Sequence, residues 1–307
     1  VTNELNRGNR HGADALVGHY ACAGESDTGA LGAVPSLKER LRQAFTEASI
    51  DPDQLTPAQM AGLDQLHLGG RGASYRLLEL GELSGVTRML DVGCGTGGAS
   101  RLLAQALGCK VVGVDIIPAF IDVARWLSQA CGLSTQTDFL CADAAELPLA
   151  SDSIEALWCQ HALLNMPDRD AVLNEWRRVL IPGGLVLLHE VVAGTNPEPL
   201  SLPVPWARQP EHSHLESRQA LEQRLQHAGF RQLRLIDVTE QALSWRRHHG
   251  RREQQAAAIE EVELPGAQLL FGDDFTTMGR NLQANLANDR VRVIQGVWRR
   301  AVPSSHE

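Results

Sequence analysis

No apolar run in these 307 residues approaches the ~20 that a membrane-spanning helix requires. Basic clusters are scarce as well: none is longer than the run at 246–252, and the net charge is −9. Contacts to a phosphate backbone need a basic face, so nucleic acid is excluded as a substrate class. The six cysteines (Cys22, Cys94, Cys109, Cys131, Cys141 and Cys159) never take Cys-x-x-Cys spacing. That speaks against a disulfide framework or a zinc site, and no metal is expected. They read as small buried thiols in a reducing compartment. Residues 1–18 lack a signal-like apolar core, which favours the same cytoplasmic setting. Internal repeats and low-complexity tracts are missing too. What remains is ordinary for a folded domain: 43 % hydrophobic and 21 % charged residues.

Helical spacing covers residues 36–49, 56–67 and 75–81. From 87 onward strands and helices alternate. Strands are expected at 87–92, 110–114, 137–141, 153–160 and 184–191, with helices at 99–107, 119–131 and 168–180. Short apolar strands between helices predict a parallel sheet covered on both faces. A proline-rich loop follows at 195–210. Then come a helix at 217–228, a strand at 230–238, an amphipathic helical stretch at 240–290 and a last strand at 291–300.

Residues 89–97 read Met-Leu-Asp-Val-Gly-Cys-Gly-Thr-Gly, a buried strand end running into a glycine-rich turn. Glycines let a backbone turn sharply and approach a ligand with no Cβ in the way. The helix that follows offers free N–H groups and the positive end of its dipole. Asp115 closes the next strand, where a carboxylate can accept from both hydroxyls of a ribose. An adenosine-type cofactor is implied. Glycines 93, 95 and 98 also satisfy the dinucleotide pattern, so a dehydrogenase fits this turn taken alone. Three features favour another ligand. Asp91 stands two residues before Gly93, where it suits a ligand carrying a cationic amine or, alternatively, caps the turn. Asp143 follows the third strand and can accept from an adenine amine. Leu180-Ile181-Pro182-Gly183-Gly184 forms a turn before the fifth strand.

Leu90-Asp91-Val92-Gly93-Cys94-Gly95-Thr96-Gly97, Val114-Asp115, Ala142-Asp143-Ala144 and the Pro-Gly-Gly turn together resemble the class I S-adenosylmethionine-dependent methyltransferases. The resemblance covers about residues 85–240 and the final strand. It implies a doubly wound α/β fold: a seven-stranded, mostly parallel sheet of order 3-2-1-4-5-7-6, Rossmann-like, with helical cap and lid additions. It implies an enzyme that takes S-adenosylmethionine at the carboxyl ends of strands 1 and 2. Carried over by position, the cofactor residues are Asp91, Gly93, Cys94, Gly95, Gly97, Asp115, Ile116, Asp143, Ala144 and Gln160. The glycine turn would wrap the methionine part, Asp115 hold the ribose, Asp143 and Ala144 the adenine, and Gln160 lie near the sulfonium. The corresponding division is a loose arm (1–30), a helical cap (31–85), the cofactor-binding core (86–239), a helical lid insertion (240–290) and the final strand with a tail (291–307).

Residues 63–71, 158–168 and 203–207 look like the sarcosine/dimethylglycine N-methyltransferase and ubiquinone-biosynthesis-like group. That implies a small-molecule acceptor, first of all an amine. O- or C-methylation of a quinone-like or secondary-metabolite acceptor is the alternative, and a cofactor-binding partner protein without catalysis a second one. His161 and Asn165 depart from the amine pattern. His67 and His161 are the candidate bases, since a histidine titrates near neutrality. Trp206, Asn165 and Phe271 are candidate substrate contacts. His189 and Glu190 alternate on a strand, so only one of them can face the pocket. The apolar stripe of 240–290 is expected to close over the donor together with residues 55–75, or else to form a homodimer interface.

Overall fold

The apolar run at 88–92 lies at the centre of the sheet. In the computed structural model, which describes residues 35–256 and 264–302, β1 (Arg88–Val92) pairs in parallel with β2 (Lys110–Asp115) and β4 (Ile154–Gln160). Beyond them lie β3 (Thr137–Cys141) on one side and β5 (Leu180–Ala193) on the other. β7 (Val291–Arg300) runs antiparallel between β5 and β6 (Phe230–Asp237), which completes the order 3-2-1-4-5-7-6. The expected arm at 1–30, the last residues of the tail and Cys22 lie outside the described residues.

Strand periodicity distributes β1 between two cores. Leu90 and Val92 pack with Trp176 and Val172 of the helix α6, Arg169–Val179 (numbered in chain order). Met89 turns the other way, toward Leu77 of α3 (Gly70–Gly81) and Leu103 of α4 (Gly98–Leu107). Asp91 shares that second face. A carboxylate is therefore buried between the sheet and α4, at the point where the chain leaves the sheet.

Helix ends follow local chemistry. Ser36 and Glu39 form a reciprocal capping box at the start of α1 (Leu37–Glu47). Pro118 opens α5 (Pro118–Ala130), where its missing N–H costs nothing. The helix expected over 56–67 shrinks to α2 (Ala61–Asp64), and the one expected at 75–81 starts earlier, at Gly70. Gly69, with φ of 86°, and Gly70, with φ of 51°, set the start of α3, whereas α2 already ends where Gln65 leaves helical geometry at φ −120° and ψ 68°. Two contacts tie α2 to the glycine turn. Thr96 Oγ1 donates to Leu63 O at 2.8 Å, and Asp64 forms a buried ion pair with Arg101 of α4. Beyond β5 come α7 (Arg218–His227), α8 (Thr239–Ala256), α9 (Gln268–Phe271) and α10 (Phe275–Ala287). Cys94, Cys109 and Cys159 are buried free thiols, whereas Cys131 is half-buried and Cys141, at the end of the edge strand β3, is exposed. Among the described residues no helix is long and apolar enough to cross a membrane, and no His/Cys/Asp/Glu cluster could hold a metal.

Candidate active site

A cleft opens at the carboxyl ends of β1, β2 and β4, where the strand order reverses, the usual ligand position of such sheets. It holds about 1410 Å³ of non-protein space, part of it open to solvent. Fourteen of the fifteen residues singled out in the sequence line it; Gly97 does not. A Cβ on Gly97 would lie 2.7 Å from the Phe139 ring and 2.9 Å from Arg101 Nη1. Its φ of 81° serves the turn into α4, so packing and backbone shape both call for glycine there. Gly95 differs: its φ is 52°, and a Cβ there would meet only Leu66, at 3.8 Å, in open cleft.

Two buried carboxylates face this turn. Ser100 Oγ donates to Asp91 Oδ2 at 2.6 Å, so Asp91 is tied to the first turn of α4 and also lines the cleft. Burial pushes its pKa up to about 7, partly offset by the Ser100 hydrogen bond. Asp115 accepts from Gly95 N at 2.9 Å and from Ile117 N at 3.0 Å, one bond to each oxygen. Its pKa is also raised by burial, against the pull of those backbone N–H groups. Farther along, Asp143 Oδ1 accepts from Ala145 N at 2.9 Å, which turns the chain after β3.

On the other side three histidines converge. His67, from the segment after α2, His161, at the end of β4, and His189, on β5, have ring centroids 4.6 to 6.1 Å apart. Burial lowers all three pKa values, that of His67 to about 4, so the cluster is neutral at physiological pH. His161 takes φ of 50°, a left-handed conformation that costs energy in a non-glycine residue. Its backbone N–H donates to His189 O at 2.8 Å, while its Nε2 is buried without a partner. Both members of the His189–Glu190 pair are buried, on opposite faces, and neither touches the cleft directly. Glu190 accepts from Leu164 N and Val191 N, and burial raises its pKa to about 8. Gln160 lines the cleft, but its amide bonds to Trp158, Ser74 and His189. The sequence marks His189 as a possible pocket residue, but its bond to Gln160, like that of Ser74, joins distant elements and is not legible there.

A methyltransferase-domain family matches residues 90–188. The methyltransferase GfsG of Streptomyces halstedii is 35 % identical over 188 residues, 59 % of this chain and 66 % of that one. Residues 90–188 form a methyltransferase domain, and the fold is that of the class I S-adenosylmethionine-dependent methyltransferases. Among solved structures, the phosphoethanolamine N-methyltransferase 2 of Haemonchus contortus with S-adenosyl-L-methionine matches with a TM-score of 0.65 at 18 % identity, over 87 % of this chain and 60 % of that one. The [4+2]-cyclase SpnF matches with 0.64 at 22 % identity, over 87 % and 97 %. At such identities the structures show a common fold. The chain spans 20 to 66 % of the length of the curated relatives it matches, and N-, O- and C-methyltransferases all occur among the matched names.

The family's cofactor is S-adenosylmethionine, and this methyltransferase has groups that fit it. Asp91 and Asp115 are buried carboxylates that gain from a cation and from a diol. The open space over Gly95 admits a chain that a side chain would displace.

Proposed function

We propose that this methyltransferase methylates a hydroxyl oxygen of a small, uncharged, largely apolar acceptor, with His67 as the proton acceptor. The composition of the wall beyond the glycine turn carries the reading. Leu66, His67, His161, Met166, Trp206 and Phe271 form much of it, and among the described residues no lysine or arginine lines the cleft. Sarcosine and dimethylglycine, the amine acceptors first expected, each carry a carboxylate. Burying a carboxylate without a cationic or hydrogen-bonding partner is costly, and arginine is its usual partner. A neutral hydroxyl needs only an acceptor, which a neutral imidazole supplies.

Asp91 would take the ammonium end of the cofactor, Asp115 the ribose diol, and Asp143 with Ala144 the adenine edge. When bound, the cofactor supplies a methyl carbon activated by the adjacent sulfonium. The protein aligns the acceptor with that carbon and keeps water out. Trp206, Met166 and Phe271 would hold the apolar body, with Asn165 at its polar rim. His67, held near 4 by burial, is too weak a base to ionise a resting hydroxyl. It takes the proton as the new O–C bond forms and the oxygen acidifies, so the positive charge ends on the imidazole. His161 stands beside it as a second neutral ring.

Mass spectrometry after incubation with S-adenosylmethionine and a panel of neutral phenols and enols, beside sarcosine and dimethylglycine, tests this. Methylated hydroxyl products without methylated amino acids are expected. Turnover of sarcosine with no reaction of any hydroxyl acceptor overturns the reading.

A further inference from the structure

We infer that Trp158, Gln160 and Ser74 are positioning residues that fix the proton of His67 on Nε2 and leave Nδ1 as its lone pair. The inference rests on the reading of His67 as proton acceptor and concerns how that role is set. It starts from a group with no choice. An indole N–H can only donate. Trp158 Nε1 lies 2.9 Å from the side-chain amide of Gln160, so the atom it meets must be the carbonyl oxygen, Oε1. The amide nitrogen Nε2 then faces His189 Nδ1 at 3.2 Å. Since Gln160 Nε2 donates there, His189 Nδ1 accepts, and neutral His189 carries its proton on Nε2.

The same oxygen sets the second branch. Ser74 Oγ lies 3.2 Å from Gln160 Oε1 and 3.0 Å from His67 Nε2. Oε1 has no proton, so only the Ser74 hydroxyl can supply that bond. Once the single hydroxyl proton is committed, Ser74 Oγ must accept from His67, and His67 is the Nε2–H tautomer. Among the described residues its Nδ1 has no hydrogen-bond partner, and the ring lines the cleft. Ser74, His189 and Trp158 are buried, so water does not compete for these bonds. A donor-only indole thus decides, through an amide and a hydroxyl, which nitrogen of a distant imidazole can take a proton.

Long-range proton–nitrogen correlation spectra of the histidine rings, recorded on the isotope-labelled full chain with no acceptor or cofactor, test the assignment. His67 and His189 are both expected as single Nε2–H tautomers. Gln160→Met removes the nearer oxygen and leaves the Ser74 proton to divide between His67, at 3.0 Å, and Gln65 Oε1, at 3.5 Å. His67 is then expected to populate the Nδ1–H form, and His189 to lose its single tautomer. Ser74→Ala, a smaller change, should release His67 alone and leave His189 unchanged, which guards against a Gln160 variant that fails to fold. A parent His67 protonated on Nδ1, or a His67 spectrum unaltered in these variants, overturns the proposal. Because no methyl acceptor is involved, a failure here leaves the O-methylation reading standing. Failure of that reading would likewise leave these spectra as they are.

Discussion

Binding of S-adenosylmethionine should release a proton from Asp91 and weaken as pH falls below 7. The bare site holds this carboxyl at about 7 because it is buried between β1 and α4, with one hydrogen bond from Ser100. An ammonium group placed beside it favours the ionised form. If only the carboxylate binds the cation, the apparent dissociation constant rises by a factor of about five between pH 7 and pH 6, or roughly 1 kcal/mol. Asp115, also raised by burial, pulls in the same direction. Above about pH 8 the α-amine of the ligand itself loses its proton, so affinity should peak between the two values. Calorimetry in two buffers of different ionisation enthalpy measures the affinity and the proton released. Near pH 6 the release should approach one. Asp91→Asn should bind more weakly at pH 8 and lose most of the slope. A dissociation constant that is flat from pH 6 to 7.5, or a slope that survives in Asp91→Asn, would refute the reasoning.

The same carboxyl governs folding. Its native pKa lies above the ordinary value near 4, so between those values the native state holds a proton that the unfolded chain lacks. Stability is therefore full below pH 4 as far as this group is concerned and is lost as pH rises to about 7; Glu190 extends the loss toward 8. The three buried histidines pull the other way below about pH 6.5, so the check is a difference: between pH 6 and pH 8 the melting temperature of the parent should fall relative to that of Asp91→Asn, and added cofactor should raise the parent's melting temperature more at pH 8. Asp115→Ala should cost about 1–3 kcal/mol of cofactor affinity by calorimetry, since it unpairs the Gly95 and Ile117 N–H groups and removes the diol acceptor. Asp64→Ala leaves Arg101 buried without its ion-pair partner, and a loss of about 3–5 kcal/mol is expected in denaturant unfolding. His67→Ala should lower the turnover of a hydroxyl acceptor by roughly 10²–10⁴ with cofactor affinity little changed.

The strands were readable in the sequence because each is a short apolar run between helices, and Thr137–Cys141 and Val291–Arg300 were placed at their observed bounds. Their order was not readable from that alternation and came from the resemblance carried by the glycine turn. Site residues beside that turn were legible because backbone chemistry dictates them. The bounds of α2 and α3 were less legible: a gap over 68–74 was expected, but α2 ends at Asp64 and α3 starts at Gly70. The Asp64–Arg101 pair and the bonds from Trp158 through Gln160 to Ser74 join residues up to 86 positions apart. No spacing rule reports them. That no lysine or arginine among the described residues lines the cleft was equally hidden, for arginines are spread along the whole chain and only the fold decides which of them turn away.

The placement of β7 has a consequence for synthesis on the ribosome. β6 has no neighbour in the sheet except β7, and the outer edge of β5 is covered by β7 alone. Until residues 291–300 have emerged, the nascent chain carries a finished parallel half, a bare edge on β5 and an unpaired β6. Two unsatisfied edges are what invite pairing with a neighbouring chain. The cofactor cleft, built by β1, β2 and β4, does not wait for that last strand. A ligand could therefore bind, and steady the growing chain, before its sheet is closed.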